Sequence, residues 1–335
     1  MSHTGQETVN NNPFSAKSQP FETLPFKIAS LGFGTSQLPM CQQENNVKNA
    51  LGQDAREILY TAIDNGINFF DTAPSYGKSE SLLGEIGRTR RRKIIIATKA
   101  GLKSDGTRDF SIPFLESQLE KSLSALNCDY LDLFQLNKPS PEMLADGELF
   151  YFLDTLKKKG KIRFSGVIIG DVETGYQCIE SGKVDCVQVL YNLLYQDTER
   201  LINNASKYGL GIIIRSPLNS GILAGTFTNN KTFHPNDKRS VFFSGATIKQ
   251  RLNLLHKIQK ELNVQDSKLL EFSLRFVLSN WENAVIIPAA SKLSQLKRLL
   301  EFGSNYSPLA QVEMDKIKKT VSKYMEGISM EYQSK

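Results

Sequence analysis

Four side chains in this sequence have types that together can place a proton on a carbonyl oxygen: Asp71, Tyr76, Lys99 and Asn137. Each belongs to the end of a short apolar run or the loop after it, namely INFFD (67–71) with DTAPSYG (71–77), KIIIATK (93–99) and YLDLFQLN (130–137). A tyrosine hydroxyl, with an ordinary pKa near ~10, is too weak an acid to protonate a carbonyl efficiently at neutral pH. An ammonium beside it favours the phenolate and strengthens the acid. Lys99 can supply that charge, and Asp71 can pair with Lys99 and keep it protonated. Tyr76 then donates a proton while hydride arrives from a cofactor. Asn137 can donate through its amide but does not titrate. Taken singly, each has a plain alternative: Asp71 as a turn former, Lys99 as a surface lysine, Tyr76 as a half-buried aromatic, Asn137 as a loop cap. Their joint position at neighbouring strand ends favours chemistry.

The elements that must position them follow from hydrophobic patterning. Eight short runs, β-branched and nearly continuously apolar, recur along the chain: IASLGFGT (28–35), INFFD (67–71), KIIIAT (93–98), YLDLFQL (130–136), IRFSGV (162–167), VDCVQVL (184–190), GIIIR (211–215) and NAVIIP (283–288). Such runs are strands covered on both faces. Amphipathic stretches at 55–66, 79–88, 112–127, 148–160, 173–182 and 198–209 lie between them, and Gly66 is a C-terminal cap for the first. Strand–helix units in series make a parallel sheet with right-handed crossovers. An open dinucleotide-binding sheet would start on G-x-G-x-x-G between strand and helix. LGFGTSQ (31–37) lacks that spacing, so the expected fold is a single-domain α/β protein, a (β/α)8 TIM barrel, over residues 26–326. Residues 1–25, polar and rich in Asn, Ser and Gln, are expected to be a flexible tail, with a short C-terminal tail at 327–335. Catalytic groups of such barrels stand at the C-terminal strand ends.

Composition narrows the function classes. The chain has 335 residues, 40% hydrophobic and 23% charged, with a net charge of +6, which is ordinary for a globular protein. Its four cysteines, Cys41, Cys128, Cys178 and Cys186, form no CxxC pair, and no signal peptide precedes them. The expectation is reduced thiols and a cytoplasmic protein. No apolar run reaches the ~18 residues of a membrane span. His3, His234 and His256 are too scattered for a zinc site, so no metal is expected. The basic clusters RTRRRK (88–93) and KKKGKIR (157–163) join a helix to its next strand. Such loops lie on the face opposite a barrel's active site, and no nucleic-acid reading motif accompanies them.

The chain resembles the aldo-keto reductase family through DTAPSYGKSESLLGE (71–85), IIIATKAG (94–101), YLDLFQL (130–136), GKIRFSGV (160–167), QVLYNLL (188–194) and SPLNSGILAG (216–225), a likeness that covers about residues 27–300. The resemblance implies an oxidoreductase with Tyr76 as proton donor and Asp71 and Lys99 as its activators. It implies that Gln188 holds the nicotinamide carboxamide and that Arg215 stands where the family usually stacks an aromatic on the nicotinamide ring. Gly34, Thr35, Ser216, Leu218, Ser220 and Gly221 belong by the same likeness to the cofactor set, the last four along the pyrophosphate. Arg239 is the loop residue that closes over the cofactor phosphates, and Ser291, Lys292, Gln295 and Arg298 approach the adenosine ribose. Because Lys292, Arg298 and Arg239 are cationic and no acid stands within 288–299, NADP(H) is expected over NAD(H).

The chain also departs from the family pattern. Most members place a histidine where this sequence has Asn137. A similar asparagine occurs in potassium-channel β-subunits, which sense cofactor and reduce carbonyls slowly. The usual Ser-Asn pair after the fifth strand is Ile168-Ile169, which cannot hydrogen-bond a carboxamide through side chains. The leading expectation is NADPH-dependent reduction of an aldehyde or ketone, with a small carbonyl compound or sugar as substrate. The alternatives are an NAD(P)-dependent sugar 1-dehydrogenase and a weakly active nucleotide-sensing binding protein. A Schiff-base isomerase or aldolase is disfavoured, because Asp71 would keep Lys99 protonated where imine formation needs a neutral amine.

Overall fold

The computed structural model describes residues 15–16, 28–38, 48–228, 233, 239–242, 245–281 and 284–325. Eight parallel strands follow one another in space in chain order: β3 (Phe33–Gly34), β4 (Phe69–Asp71), β5 (Ile95–Ala100), β6 (Leu131–Asn137), β7 (Ile162–Ile168), β8 (Cys186–Leu190), β9 (Gly211–Arg215) and β10 (Ala284–Ile287). The first and last meet through the parallel bridges Leu31↔Ile286 and Gly34↔Ala289. Gly32 N–H donates to Ile286 O at 2.8 Å and Gly34 N–H to Pro288 O at 2.9 Å, closing the barrel. Within the segment read as a tail, β1 (Ser15–Ala16) pairs antiparallel with β2 (Ile28–Ala29). The rest of that segment, residues 327–335, Cys41, His3 and His234 lie outside the described residues.

Helices cover the barrel. They are α1 (Lys48–Asp64), α2 (Ser79–Arg90), α3 (Ile112–Leu126), α4 (Pro141–Leu144), α5 (Glu148–Lys158), α6 (Val172–Ser181) and α7 (Glu199–Lys207), then α8 (Arg239–Phe242), α9 (Gly245–Leu262), α10 (Asp266–Asn280), α11 (Leu293–Ser304) and α12 (Gln311–Met325). Gly66, at φ 90°, ends the turn after α1 in the left-handed region where glycine is preferred. Asp171 caps α6 by accepting the Thr174 N–H at 2.8 Å. Among the described residues, no helix is long and apolar enough to cross a membrane, and no group of His, Cys, Asp or Glu could hold a metal ion.

Alternation along each strand decides what fills the barrel. Ile28, Phe69, Ile95, Ala97, Leu133, Phe164, Cys186, Ile213, Val285 and Ile287 form one buried cluster inside it. Each fully buried large apolar side chain there contributes about 1.5–3 kcal/mol. One alternate position further along, the same inward faces carry Asp71, Lys99, Gln135 and Gln188, so the apolar plug is capped by a polar layer at the C-terminal end. The register sets this layer: Lys99 lies opposite Gln135, Asn137 opposite Ile168, and Ile168 opposite Gln188.

The basic clusters are at the other end, as their position between helix and strand implied. Arg91 and Arg163 both stack on the Tyr130 ring, at 4.7 and 4.3 Å from its centroid. Both also reach the buried Asp132 at the start of β6. Lys157 Nζ sits 3.1 Å from Asp185 Oδ2 ahead of β8. These cations fasten the loops that enter β5, β6, β7 and β8.

Candidate active site

The site is built from the polar layer upward. Asp71 is the last residue of β4 and is 2% exposed. Lys99, on β5, is 5% exposed and pairs with Asp71 Oδ1. Its ammonium also donates to Thr72 O at 2.7 Å. Burial works against a charge here, yet Asp71 and the Tyr76 hydroxyl outweigh it and hold the Lys99 pKa above its ordinary value. Lys99 is therefore a fixed cation, 4.8 Å from the centre of the Tyr76 ring.

The other carboxylate oxygen of Asp71 is also engaged. Gln188 Nε2 donates to Asp71 Oδ2 at 2.9 Å, and Gln135 Nε2 donates to the same atom at 3.2 Å. Gln188 Nε2 also reaches Gln135 Oε1 at 3.0 Å. Gly166, facing Gln135 across β6 and β7, leaves room for this, since a Cβ there would come within 3.2 Å of Gln135 Cγ. The sequence reading did not single out Gln135. The signal was present, because Gln135 alternates with Asn137 on YLDLFQLN and must face the axis as well.

The loop that carries Tyr76 is held by hydroxyls. Thr72 and Ser79 are hydrogen-bonded at 2.8 Å, Ser79 donates to Thr35 at 2.6 Å, and Thr35 donates to Asp71 O at 3.0 Å. Thr35 is thus buried beneath the site and does not line it. Glu80, in the first turn of α2, accepts the Thr98 hydroxyl at 2.6 Å, which ties that helix to β5. Burial raises the Glu80 pKa above the usual carboxylate value, against the hydrogen bond from Thr98 and the charge of Lys99.

A cleft of about 280 Å³ opens from this centre. Asp71, Tyr76, Gln188 and Arg215 line its inner end, with Gly34, Ser216, Leu218, Ser220, Gly221 and Arg239 along the way and Ser291, Gln295 and Arg298 at its outer end. Lys292 is exposed and lies outside the lining, as does Asn137. Ser36, Gln37, Thr226, Phe227 and Leu270 are among the wall residues that sequence reasoning missed.

One wall is an irregular segment, residues 216–225, with left-handed φ at Ser216 (54°), Asn219 (46°), Ser220 (56°), Gly221 (100°) and Gly225 (70°). Such backbone is costly and survives only where the surroundings fix it. Asn192 Nδ2 holds Ser216 O at 3.1 Å. A Cβ on Gly225 would lie 2.0 Å from Asp266 O, so that glycine lets the segment press against α10. Arg298 Nη2 donates to Ala224 O at 3.3 Å, and Arg239 stacks over Phe233 with its guanidinium 4.8 Å from the ring centre. Ser291 donates to Gln295 Oε1 through its N–H at 2.8 Å.

The end of β7 is apolar, with no side chain there to hydrogen-bond a carboxamide. Ile168 and Ile169 are both buried, and the Ile169 N–H is taken by Gln188 O at 2.9 Å. Asn137 is half-buried, on the inward face of β6.

Comparison with known proteins gives a consistent picture. The model of the "Aldo/keto reductase family" matches residues 30–322. The uncharacterized oxidoreductase YqkF of Bacillus subtilis is 27% identical over 294 residues, covering 83% of this chain and 88% of that protein. The NADH-specific methylglyoxal reductase of Escherichia coli is 25% identical over 253 residues, covering 69% of this chain and 77% of that protein. Among solved structures, the holo form of the aldo-keto reductase AKR11C1 from Bacillus halodurans superposes with a TM-score of 0.74 at 23% identity, covering 92% of this chain and 96% of that one.

Proposed function

The chain belongs to the aldo/keto reductase family, an NAD(P)H-dependent oxidoreductase by that membership, and from this premise we propose that it reduces an aldehyde or ketone with NADPH, using Tyr76 as proton donor. The observation that carries the reading is the fixed Lys99 cation, buried, paired with Asp71 and set against Tyr76 at the inner end of the cleft.

The cleft fits a phosphorylated dinucleotide. A Cβ on Gly34 would meet Ile287 O at 3.1 Å, so backbone faces backbone there with no side chain between. Three arginines, Arg215, Arg239 and Arg298, line the same cleft. In this reading Ser216 to Gly221 and Arg239 hold the pyrophosphate and Arg298 the 2′-phosphate. When bound, the cofactor supplies hydride. The chain's own part is to orient the carbonyl and deliver the proton. Tyr76 gives its proton to the carbonyl oxygen, and the Lys99 ammonium faces the phenolate left behind. Asp71 keeps Lys99 charged, and the Gln135 and Gln188 amides fix the Asp71 carboxylate. Titrating the protein with NADPH by fluorescence and then following absorbance with a panel of aldehydes tests the reading. A protein that binds NADPH but turns over no carbonyl would leave the nucleotide-sensing alternative.

Cofactor preference gives one expected outcome. Charge-assisted hydrogen bonds contribute about 1.5–3 kcal/mol each, so NADPH should bind roughly 10–100-fold more tightly than NADH. Arg298→Ala should erase most of that difference. Equal affinities in the unaltered protein would reject the preference, and one relative is named as NADH-specific.

Asn137 gives a second. Its amide can orient a carbonyl but adds no charge. Carbonyl reduction is expected to be slow, with no pH step from this position. Asn137→His should raise the turnover of simple aldehydes and add an ionisation near the ordinary histidine pKa of ~6.5. Identical rates and pH profiles for both proteins would mean that position 137 does not touch the reaction.

A further inference from the structure

The turn after β8 is fastened on two sides, and its fastenings run from the C-terminal helix to the wall of the cleft. β8 ends at Leu190, opposite Arg215 at the end of β9. The chain then reverses, with Asn192 and Tyr195 exchanging backbone hydrogen bonds at 3.0 Å each. Asn192 is fully buried. Its Oδ1 accepts the Leu194 N–H at 3.0 Å, which fixes the rotation of the amide and aims Nδ2 at Ser216 O, 3.1 Å away. Ser216 O also accepts the Asn219 N–H at 2.9 Å. Ser216 lines the cleft and carries φ 54°. That left-handed backbone is disfavoured for a residue with a Cβ by a factor on the order of ten in population, so something must hold it.

Tyr191 anchors the same turn from behind. Its buried ring meets Trp281 edge-on, with centroids 4.4 Å apart, and stacks on Phe276 at 5.6 Å. Its hydroxyl accepts from Asn280 Nδ2 at 2.8 Å and donates to Glu199 Oε2 at 3.2 Å. Burial, and after it the Glu199 charge, push the Tyr191 pKa well above its ordinary value, so the hydroxyl keeps its proton and donates. Glu199 opens α7, and its other oxygen takes the Lys318 ammonium of α12 at 2.6 Å. Lys318 also donates to Asn280 Oδ1 at 3.2 Å, at the end of α10. Tyr191, Asn280, Lys318 and Glu199 thus close a ring of hydrogen bonds between three helices and the turn. The Lys318 and Glu199 side chains are 27% and 25% exposed, sheltered enough for the pair to outlast the screening that empties a surface ion pair. Tyr191, Asn192, Glu199 and Lys318 all lie outside the lining of the cleft.

We propose that this ring and Asn192 form a brace that keeps Ser216 and the segment after it in the conformation that receives the dinucleotide phosphates, which makes Lys318, on the C-terminal helix, and Asn192 positioning residues for cofactor binding. The proposal rests on the reading above of Ser216 to Gly221 as the pyrophosphate wall. A site whose receptive conformation is only partly populated binds more weakly by that fraction. Loosening the brace should therefore weaken the cofactor without touching the proton transfer at Tyr76.

NADPH affinity of the full chain, followed by fluorescence, tests this beside the single-turnover rate of aldehyde reduction at saturating NADPH. Lys318→Met should raise the NADPH Kd about 3–10-fold and leave the single-turnover rate unchanged, while Lys318→Arg should keep the wild-type Kd. Asn192→Asp keeps the acceptor for the Leu194 N–H but sets a carboxylate oxygen against Ser216 O, and should raise Kd by about tenfold or more. Ser216→Gly supplies a residue that takes a positive φ readily, so in that background Lys318→Met should cost less affinity, a coupling read from the double-mutant cycle. A packing role alone would lower the melting temperature of Lys318→Met and leave its Kd in place. That outcome, or an equal effect in both Ser216 backgrounds, would overturn the brace and leave the reductase standing. The Kd comparison needs no turnover, so it decides the brace equally in a protein that binds NADPH and reduces no aldehyde, where the reductase reading alone would fall. An unaltered protein that binds no NADPH would sink the reading of the cleft and the brace with it.

Discussion

Tyr76→Phe should lower kcat for carbonyl reduction by about 10²–10⁴-fold, the usual contribution of a positioned general acid, while dinucleotide affinity changes little. The substitution keeps the ring and removes only the hydroxyl. The ring sits against Lys99, with the ammonium 4.8 Å from its centre, and a phenylalanine preserves that contact. The loop should also keep its place. It is held by the Tyr76 N–H to Ala73 O bond at 3.0 Å and the Ser79 N–H to Tyr76 O bond at 3.2 Å, together with the Thr72, Ser79 and Thr35 hydroxyls. The fold therefore has no reason to respond, and a rate change isolates the proton. Single-turnover absorbance with saturating NADPH measures the chemical step directly. Wild-type rates in the phenylalanine variant would remove Tyr76 from the mechanism.

The barrel was legible because its strands are buried on both faces, and runs such as GIIIR and KIIIAT have no competing pattern. The helices of residues 245–280 were not placed in advance. Two of them, α9 and α10, intervene between β9 and β10, so the one-strand-one-helix rhythm breaks there. At the site, Asp71, Tyr76 and Lys99 could be placed from strand ends alone, since a strand end fixes both the height and the direction of a side chain. Gln135 and Gln188 show what that reasoning lacks. A glutamine on an inward face can point up to a ligand or sideways to a neighbour, and only the distances to Asp71 show that both amides turn sideways. The same holds for Thr35, whose hydroxyl is directed to Asp71 O rather than to the cleft.

Asp71→Asn should cost about 3–5 kcal/mol of stability at neutral pH, the usual effect of stranding a buried charge, besides lowering the rate. Lys99 and Asp71 are 5% and 2% exposed, so little solvent screens the loss. The pH dependence distinguishes this cause from a packing defect. In the unaltered protein the Lys99 pKa is held above its ordinary value. The pair's stabilisation is then fully present below about 10.5, the unfolded value, and is lost only as pH rises through the higher folded value. Without the carboxylate, burial is left to dominate and the folded pKa falls below the unfolded one. The variant then binds fewer protons at Lys99 when folded than when unfolded, and its stability rises with pH towards about 10.5. Thermal melts from pH 6 to 10 should show the deficit largest at the acidic end and shrinking upward. Lys99→Met in the Asp71→Asn background should recover part of the loss, because it removes the stranded charge while a methionine fills much of the same space. A deficit that is constant across that pH range, or a double variant no more stable than Asp71→Asn alone, would mean that Lys99 is not held as a charge by Asp71. The cation proposed to face the Tyr76 phenolate would then need another source.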